Sequence, residues 1–87
     1  MEKQPEELLR FILSKILDDK AELKINSIVD ERGLLFEIKV KEDQMGRLIG
    51  KGGKTIQSIR TILGVLGTKI DQKIFLKILE PIENNGK

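Results

Sequence analysis

A nine-residue segment, positions 48–56, constrains the fold of this 87-residue chain more than any other. Two aliphatic residues lead into three glycines and two lysines, after which aliphatic residues recur. Glycine reaches positive φ and lets another backbone approach closely, but it costs entropy inside a helix or a strand. Three glycines within four residues, flanked by apolar residues, therefore predict a tight turn between two packed elements. The lysines make this turn electropositive.

Basic residues are concentrated around this turn, although the formal net charge of the whole chain is only +2. Residues 1–33 carry six basic and eight acidic side chains, residues 34–79 carry nine and four, and residues 80–87 carry one and two. No acidic residue lies between Asp43 and Asp71. This asymmetry favours an anionic ligand at the turn, although a solvated basic surface would give the same pattern.

Composition excludes several classes of function. Without cysteine there are no disulfides and no thiolate zinc sites. Without histidine the commonest general base and metal ligand is missing. No apolar run approaches the ~20 residues of a membrane helix, and the acidic, polar N-terminal segment is unlike a signal peptide. We therefore expect a soluble cytoplasmic protein that is not an enzyme and needs no metal or cofactor.

Apolar spacing divides the chain into three helices and three strands. The cleanest signal is a period of two at residues 34–41, whose even-numbered side chains should be buried. Asp30 to Gly33 forms a turn before this strand, with Gly33 available for positive φ. The predicted elements are a helix at 5–18, strands at 23–29 and 34–41, a short helix at 44–49 with Asp43 as N-cap, a helix from Lys54 to about 66–68, and a strand at 73–79.

The order α-β-β-α-α-β predicts an α+β fold with a three-stranded mixed sheet and three helices on one face. Two helices connect the second strand to the third, so these two strands can lie parallel. The predicted domain covers residues 5–80, and residues 1–4 and 81–87 should be flexible termini. The other face of the sheet carries Ile28, Leu35, Phe75 and Leu79, which could form a self-association surface.

The glycine-rich segment is not a nucleotide-binding P-loop. That motif needs G-x-x-x-x-G-K-[ST], but position 48 is Leu48 where its first glycine would lie. The preceding segment also has the pattern of a helix, whereas a P-loop follows a strand. The dinucleotide fingerprint G-x-G-x-x-G fails as well, because its last position is Thr55.

The pattern that fits is a short helix, two aliphatic residues, Gly-x-x-Gly and a second helix. At residues 48–53, followed by residues 54–56 and Ile59, the sequence resembles the KH domain family of RNA-binding modules. The order of elements over residues 5–80 resembles the type II variant of that fold. The chain length and the run at 42–53 resemble the small bacterial KhpA-like proteins, which consist of a single such domain.

The chemistry of the turn can be argued from its own residues. Glycines at both ends let a sugar–phosphate backbone approach the main chain. Lys54 and Thr55 begin a helix whose free N–H groups and dipole favour phosphate. Lys51 projects from the turn, and Arg47 and Lys54 flank it, so all three cations can meet the ligand. The residues expected to contact phosphate are Gly50, Lys51, Gly52, Gly53, Lys54, Thr55 and Arg47.

The family resemblance implies more than this local chemistry. It implies a clamp on about four nucleotides by the Gly-x-x-Gly tetrad, with the bases in a shallow apolar groove beside it. The residues that the resemblance places in this groove are Gly46, Ile49 and Ile56 on its floor, Ile74 and Leu76 in the last strand, and Lys69 and Lys73 in a facing loop at 67–73.

Several of these residues also have simpler interpretations. Ile49, Ile56 and Ile59 should first of all be core residues, and Arg60 should be a solvated helix residue. Gly46 marks either a close backbone approach or a chance glycine in a helix. The chain has only three phenylalanines and no tryptophan or tyrosine. This scarcity argues against an aromatic stacking platform and predicts low sequence specificity.

Two functions remain after these exclusions. The first is a non-enzymatic protein that binds single-stranded RNA, with single-stranded DNA left open, and acts as a post-transcriptional regulator or RNA chaperone. The family resemblance implies homodimers, or heterodimers with a larger KH-containing partner. The second is a protein-interaction module that uses the exposed sheet face.

Overall fold

The computed structural model describes residues 3–83 and confirms the predicted order of elements. Residues 1, 2 and 84–87, which belong to the predicted flexible termini, lie outside the described residues. Next to them, Ile82 forms a parallel bridge with Lys41. The helices and strands are α1 (Gln4–Ile16), β1 (Lys24–Asp30), β2 (Gly33–Lys39), α2 (Met45–Ile49), α3 (Lys54–Ile70) and β3 (Ile74–Ile78).

The sheet has the predicted mixed topology, with strand order β1-β2-β3. The hairpin pairs β1 with β2 in antiparallel fashion, and β3 pairs with β2 in parallel. Gly33 adopts φ 137° at the start of β2, as its place in the turn predicted. The even-numbered side chains Leu34, Phe36, Ile38 and Val40 are buried, which confirms the predicted face.

The helices cover this buried face and leave the other face of the sheet open. Leu9 and Leu13 of α1, Leu48 of α2, and Ile59 and Leu63 of α3 are all at most 2% exposed and join one core with β2 and β3. Pro5 lies in the first turn of α1 and is buried as well. Among residues 3–83, no helix combines the length and apolar character needed to cross a membrane.

Helix α3 is longer than predicted. We expected its end near residues 66–68, but it continues to Ile70 and closes with Asp71 in the left-handed conformation. The Gln72 N–H donates to the Gly67 carbonyl over 2.8 Å, which satisfies one of the last free carbonyls. A Cβ on the buried Gly67 would collide with the Gln72 carbonyl and lie 3.4 Å from Ile74. This glycine therefore serves the close packing of the chain that leads into β3.

The predicted N-cap of the short helix is wrong. A 3-10 turn, Glu42–Gln44, precedes α2, and the Asp43 side chain caps neither segment. The N-cap position of α2 is Gln44, whose side-chain oxygen instead accepts the Asp18 N–H at 2.9 Å. The 3-10 turn thus ties α2 to the segment after α1.

Candidate nucleic-acid interface

Residues 50–53, termed the glycine loop below, join α2 directly to α3. Three of the four residues have positive φ: Gly50 at 79°, Gly52 at 63° and Gly53 at 79°. Residues with a side chain rarely adopt such φ values, whereas glycine does so at no steric cost. The Gly53 N–H donates to the Gly50 carbonyl at 3.0 Å and closes the turn. The predicted tight turn between two helices is confirmed.

The glycines of this loop differ in what surrounds them. A Cβ on Gly50 would lie 2.7 Å from the Thr55 Cβ and 2.8 Å from the Thr55 nitrogen, so this position has no room for a side chain. A Cβ on Gly52 or Gly53 would meet no protein atom within 4 Å. Gly50 therefore lets the loop pack on the start of α3, whereas Gly52 and Gly53 leave the outer backbone open to a ligand.

The loop leads into the N-terminus of a 17-residue helix. Gly53 occupies the N-cap position and supplies no side-chain hydrogen bond to the first turn. The Lys54 N–H donates to the Lys51 carbonyl of the 3-10 turn that forms the loop. The N–H groups that follow in the first turn of a helix have no intrahelical partner, and the helix dipole adds positive potential there. Together the N–H groups after Lys54 and the dipole form a suitable site for a phosphate at the first turn of α3.

The cations that flank the loop are available to a ligand. Arg47, Lys51 and Lys54 are all exposed. The side-chain ion pairs among residues 3–83 lie elsewhere, at Arg10–Glu6, Arg32–Asp30 and Lys41–Glu22. The structure therefore brings the three predicted cations onto one loop and the helix ends beside it.

The predicted groove floor is partly core and partly surface. Ile56 is 5% exposed and Ile59 is 2% exposed, which confirms that both are core residues first. Ile49 is half-buried and packs against the core from α2. Gly46 is exposed, and a Cβ there would meet no protein atom within 4 Å. No protein element packs closely against this glycine. The surface next to Ile49 is therefore open.

Lys69 and Lys73, which the resemblance places in a loop facing the groove, lie far from the glycine loop. Lys69 is in the last turn of α3, where we had expected an irregular segment. It follows Lys54 by 15 residues, which corresponds to about 22 Å of helix. The Lys73 carbonyl accepts the Leu34 N–H at 2.8 Å, so this residue lies at the start of β2. Both lysines therefore lie at the opposite end of α3 from the predicted phosphate site.

The hairpin turn at this distant end holds an ion pair that shifts the pKa values of both of its members. Arg32 donates a hydrogen bond to Asp30 at 2.9 Å, and this bond lowers the pKa of the Asp30 carboxyl. The same contact raises the pKa of the Arg32 guanidinium. Both groups belong to an exposed turn at the far end of α3 from the glycine loop.

Arg60 has a role that the sequence did not reveal. We expected a solvated helix residue, and the side chain is exposed. Its Nε and Nη2 nevertheless donate to the Leu76 carbonyl at 3.3 and 3.1 Å. The arginine therefore spans the space between α3 and β3, next to the part of the predicted groove that the last strand closes. The acid-free region between Asp43 and Asp71, which contains Arg60, was the only sequence signal that pointed to it.

Comparison with known proteins identifies the family. A family model described as KhpA/KhpB, KH domain matches residues 6–78. The RNA-binding protein KhpA of Borreliella burgdorferi is 34% identical over 74 residues, which cover 85% of this chain and 90% of the relative. The protein of the same name from Listeria monocytogenes is 35% identical over 75 residues, covering 86% and 99%. The chain therefore belongs to the KhpA/KhpB family of KH domains.

Proposed function

We propose that this chain is a non-catalytic protein that binds single-stranded RNA through its glycine loop. The observation that carries the proposal is the open backbone at Gly52 and Gly53, directly before the N-terminus of α3 and beside exposed cations. Its family membership supports RNA as the ligand, because the relatives described above are named RNA-binding proteins. Single-stranded DNA offers the same phosphates and is the natural competitor in a binding assay.

The proposed clamp has two parts. Phosphates lie along the outer side of Gly52 and Gly53, where the N–H groups of the first turn of α3 after Lys54 and the side chains of Lys51 and Lys54 neutralise their charge. The bases, about four of them as the family resemblance implies, lie over Ile49 and the groove between α3 and β3. Backbone contacts of this kind fix position without reading sequence.

The proposed cellular role rests on RNA binding. The domain, residues 5–80, would act in the cytoplasm as a post-transcriptional regulator or an RNA chaperone. With neither histidine nor cysteine, the chain lacks the usual activated nucleophiles and bases. A single domain that grips few nucleotides binds weakly, so a second copy or a larger KH-containing chain is the proposed partner that adds avidity.

The salt dependence of binding tests the number of phosphate contacts. Three contacts to a single strand predict a slope of about −2 in log K against log salt concentration. We expect this slope from fluorescence anisotropy of a labelled oligouridylate over a series of KCl concentrations. A slope near zero would show that the bound strand does not release counterions, and it would contradict a phosphate clamp.

A second candidate function is self-association through the open face of the sheet. Ile28, Leu35 and Phe75 lie opposite one another in register and form one apolar row across all three strands. Ile28 is 38% exposed and Phe75 is 47% exposed. Single exposed apolar residues are ordinary, but a continuous row on an uncovered sheet indicates a contact surface.

The oligomeric state distinguishes this second candidate. If the row is a dimer contact, the wild-type chain should be dimeric by size-exclusion chromatography with light scattering, and Ile28→Lys/Phe75→Lys should be monomeric. Val65→Lys provides a control, because Val65 is 68% exposed on α3, away from the sheet face. A monomeric wild-type chain at high concentration would count against the sheet contact, as would a dimer broken only by Val65→Lys.

A further inference from the structure

The guanidinium of Arg60 is held in a fixed place at the edge of the sheet. The strand order ends with β3, so one side of this strand has no neighbouring strand among the described residues. The Leu76 carbonyl accepts two hydrogen bonds from Arg60 on α3. The Arg60 Nη1 also donates to the Gln57 Oε1 at 2.8 Å. Three hydrogen bonds thus orient a planar, charged group that remains exposed.

Arg60 lies close to the proposed phosphate site along the helix. It follows Lys54 by six residues, which corresponds to about 9 Å of α3. An RNA strand that is clamped at the glycine loop and lies between α3 and β3 would therefore place a base next to this guanidinium. The other cations of the proposed clamp, Arg47, Lys51 and Lys54, flank the loop itself and are suited to phosphate.

The hydrogen bonds of Arg60 leave a specific part of the guanidinium unused. Arginine has five N–H donors: one on Nε and two on each terminal nitrogen. The contacts to Leu76 and Gln57 use one donor on each of the three nitrogens. Within residues 3–83, one N–H on Nη1 and one on Nη2 therefore remain for a ligand. When Gln57 accepts from the Nη1 N–H that faces away from Nη2, the two remaining N–H groups lie side by side and match two adjacent acceptors in one plane.

We propose that Arg60 selects guanine in the bound RNA, by donating from Nη1 and Nη2 to the O6 and N7 atoms of the base. Guanine presents these two acceptors side by side, and a bidentate arginine is the commonest contact that reads them. Adenine replaces O6 by an amino donor, and uracil lacks the pair. This inference rests on the proposed RNA-binding function. It replaces the expected low sequence specificity by a preference at one position.

The test compares short RNAs that differ in one base. We would measure the affinity of the full chain for an oligouridylate and for the same RNA with a single central guanosine, adenosine or 7-deazaguanosine. The last of these keeps the ring stacking and O6 of guanine but lacks the N7 acceptor. We expect about five- to tenfold tighter binding of the guanosine RNA, the lower part of the range for one bidentate pair. Most of that preference should disappear with 7-deazaguanosine and adenosine.

Substitution of Arg60 tests whether this residue causes the guanine preference. Arg60→Lys keeps the charge but has no planar pair of donors, so the ratio of its affinities for the guanosine RNA and the oligouridylate should fall to about one. Arg10→Lys is the matched control, because Arg10 is exposed on α1. Thermal unfolding of each variant shows whether it is folded. The 7-deazaguanosine comparison uses only the wild-type chain and does not depend on the variants.

The outcomes separate this inference from the function on which it rests. Equal binding of all four RNAs by the wild-type chain would overturn the role of Arg60 and leave the loop clamp intact. Equal weakening of every RNA by Arg60→Lys would do the same, since the guanidinium would then contact phosphate. Retention of the preference in a folded Arg60→Lys would also overturn it. Failure of the wild-type chain to bind any of the RNAs would overturn the proposed function itself.

Discussion

Replacing Lys51 and Gly52 together by aspartate should weaken RNA binding by on the order of 100-fold. The double variant changes the charge of the glycine loop by three units, and each unit charge beside a phosphate is worth about 1 kcal/mol at 4 Å in water. The fold should tolerate it, since Lys51 is exposed and a Cβ on Gly52 meets no atom within 4 Å. Aspartate also adopts left-handed conformations such as that of Gly52 more readily than most residues. Anisotropy with a labelled oligouridylate measures the effect.

Two control variants isolate the cause of that loss. Lys51→Gln/Gly52→Asn introduces similar side chains without the carboxylates, and it should lose only about fivefold, as expected from one missing charge. Lys24→Asp/Lys39→Gln changes the net charge by the same three units on paired residues of β1 and β2, away from the loop. It should bind nearly as well as the wild type. A folded Lys51→Asp/Gly52→Asp protein with wild-type affinity would refute the loop clamp.

The loop could be predicted because its constraints are local. Positive φ at Gly50, Gly52 and Gly53 is a property of the backbone that glycine alone satisfies without strain, and it needs no knowledge of distant residues. The period of two in β2 is local in the same sense, since one face of that strand must be buried. Both features, together with the order of elements, can therefore be predicted from the sequence.

The end of α3 could not be predicted from local preference. Gly64 and Gly67 lower the helix propensity of this segment, and on that ground alone the helix should end near them. The structure instead uses Gly67 as a contact with the chain at Gln72 and Ile74. Packing of the helix against the sheet outweighs propensity here, because a buried face stabilises a helix more than two glycines weaken it. This extension places Lys69 on the helix rather than on a loop.

The contacts of individual side chains depend on tertiary geometry for the same reason. Arg60 and Leu76 are 16 residues apart, and only the return of the chain along β3 brings the guanidinium to that carbonyl. Asp43 is of a residue type that N-cap positions favour, yet the chain tightens into a 3-10 turn there. The cations of the glycine loop were identifiable because they are neighbours in sequence. The position of Arg60 between α3 and β3 depends on the fold.

Substituting Gly50 by alanine should lower the free energy of unfolding by about 3 kcal/mol. Its φ of 79° and ψ of 168° belong to a region that is essentially restricted to glycine and costs about 1–3 kcal/mol for other residues. The new Cβ would in addition overlap Thr55, and overpacking of this kind costs roughly 1–3 kcal/mol. For a domain of this size we expect the melting temperature to fall by about 15 °C, as measured by circular dichroism.

The matched control for Gly50→Ala is Gly64→Ala, which places the same methyl group in the middle of α3. No protein atom lies within 4 Å of a Cβ at Gly64, and alanine is the better helix former. This variant should therefore be about 0.5–1 kcal/mol more stable than the wild type. If both variants melted close to the wild-type temperature, Gly50 would not be packed on Thr55. The glycine loop would then not be held against the start of α3. A large loss confined to Gly50→Ala would show that the packing of Gly50 on Thr55 holds the glycine loop at the start of α3.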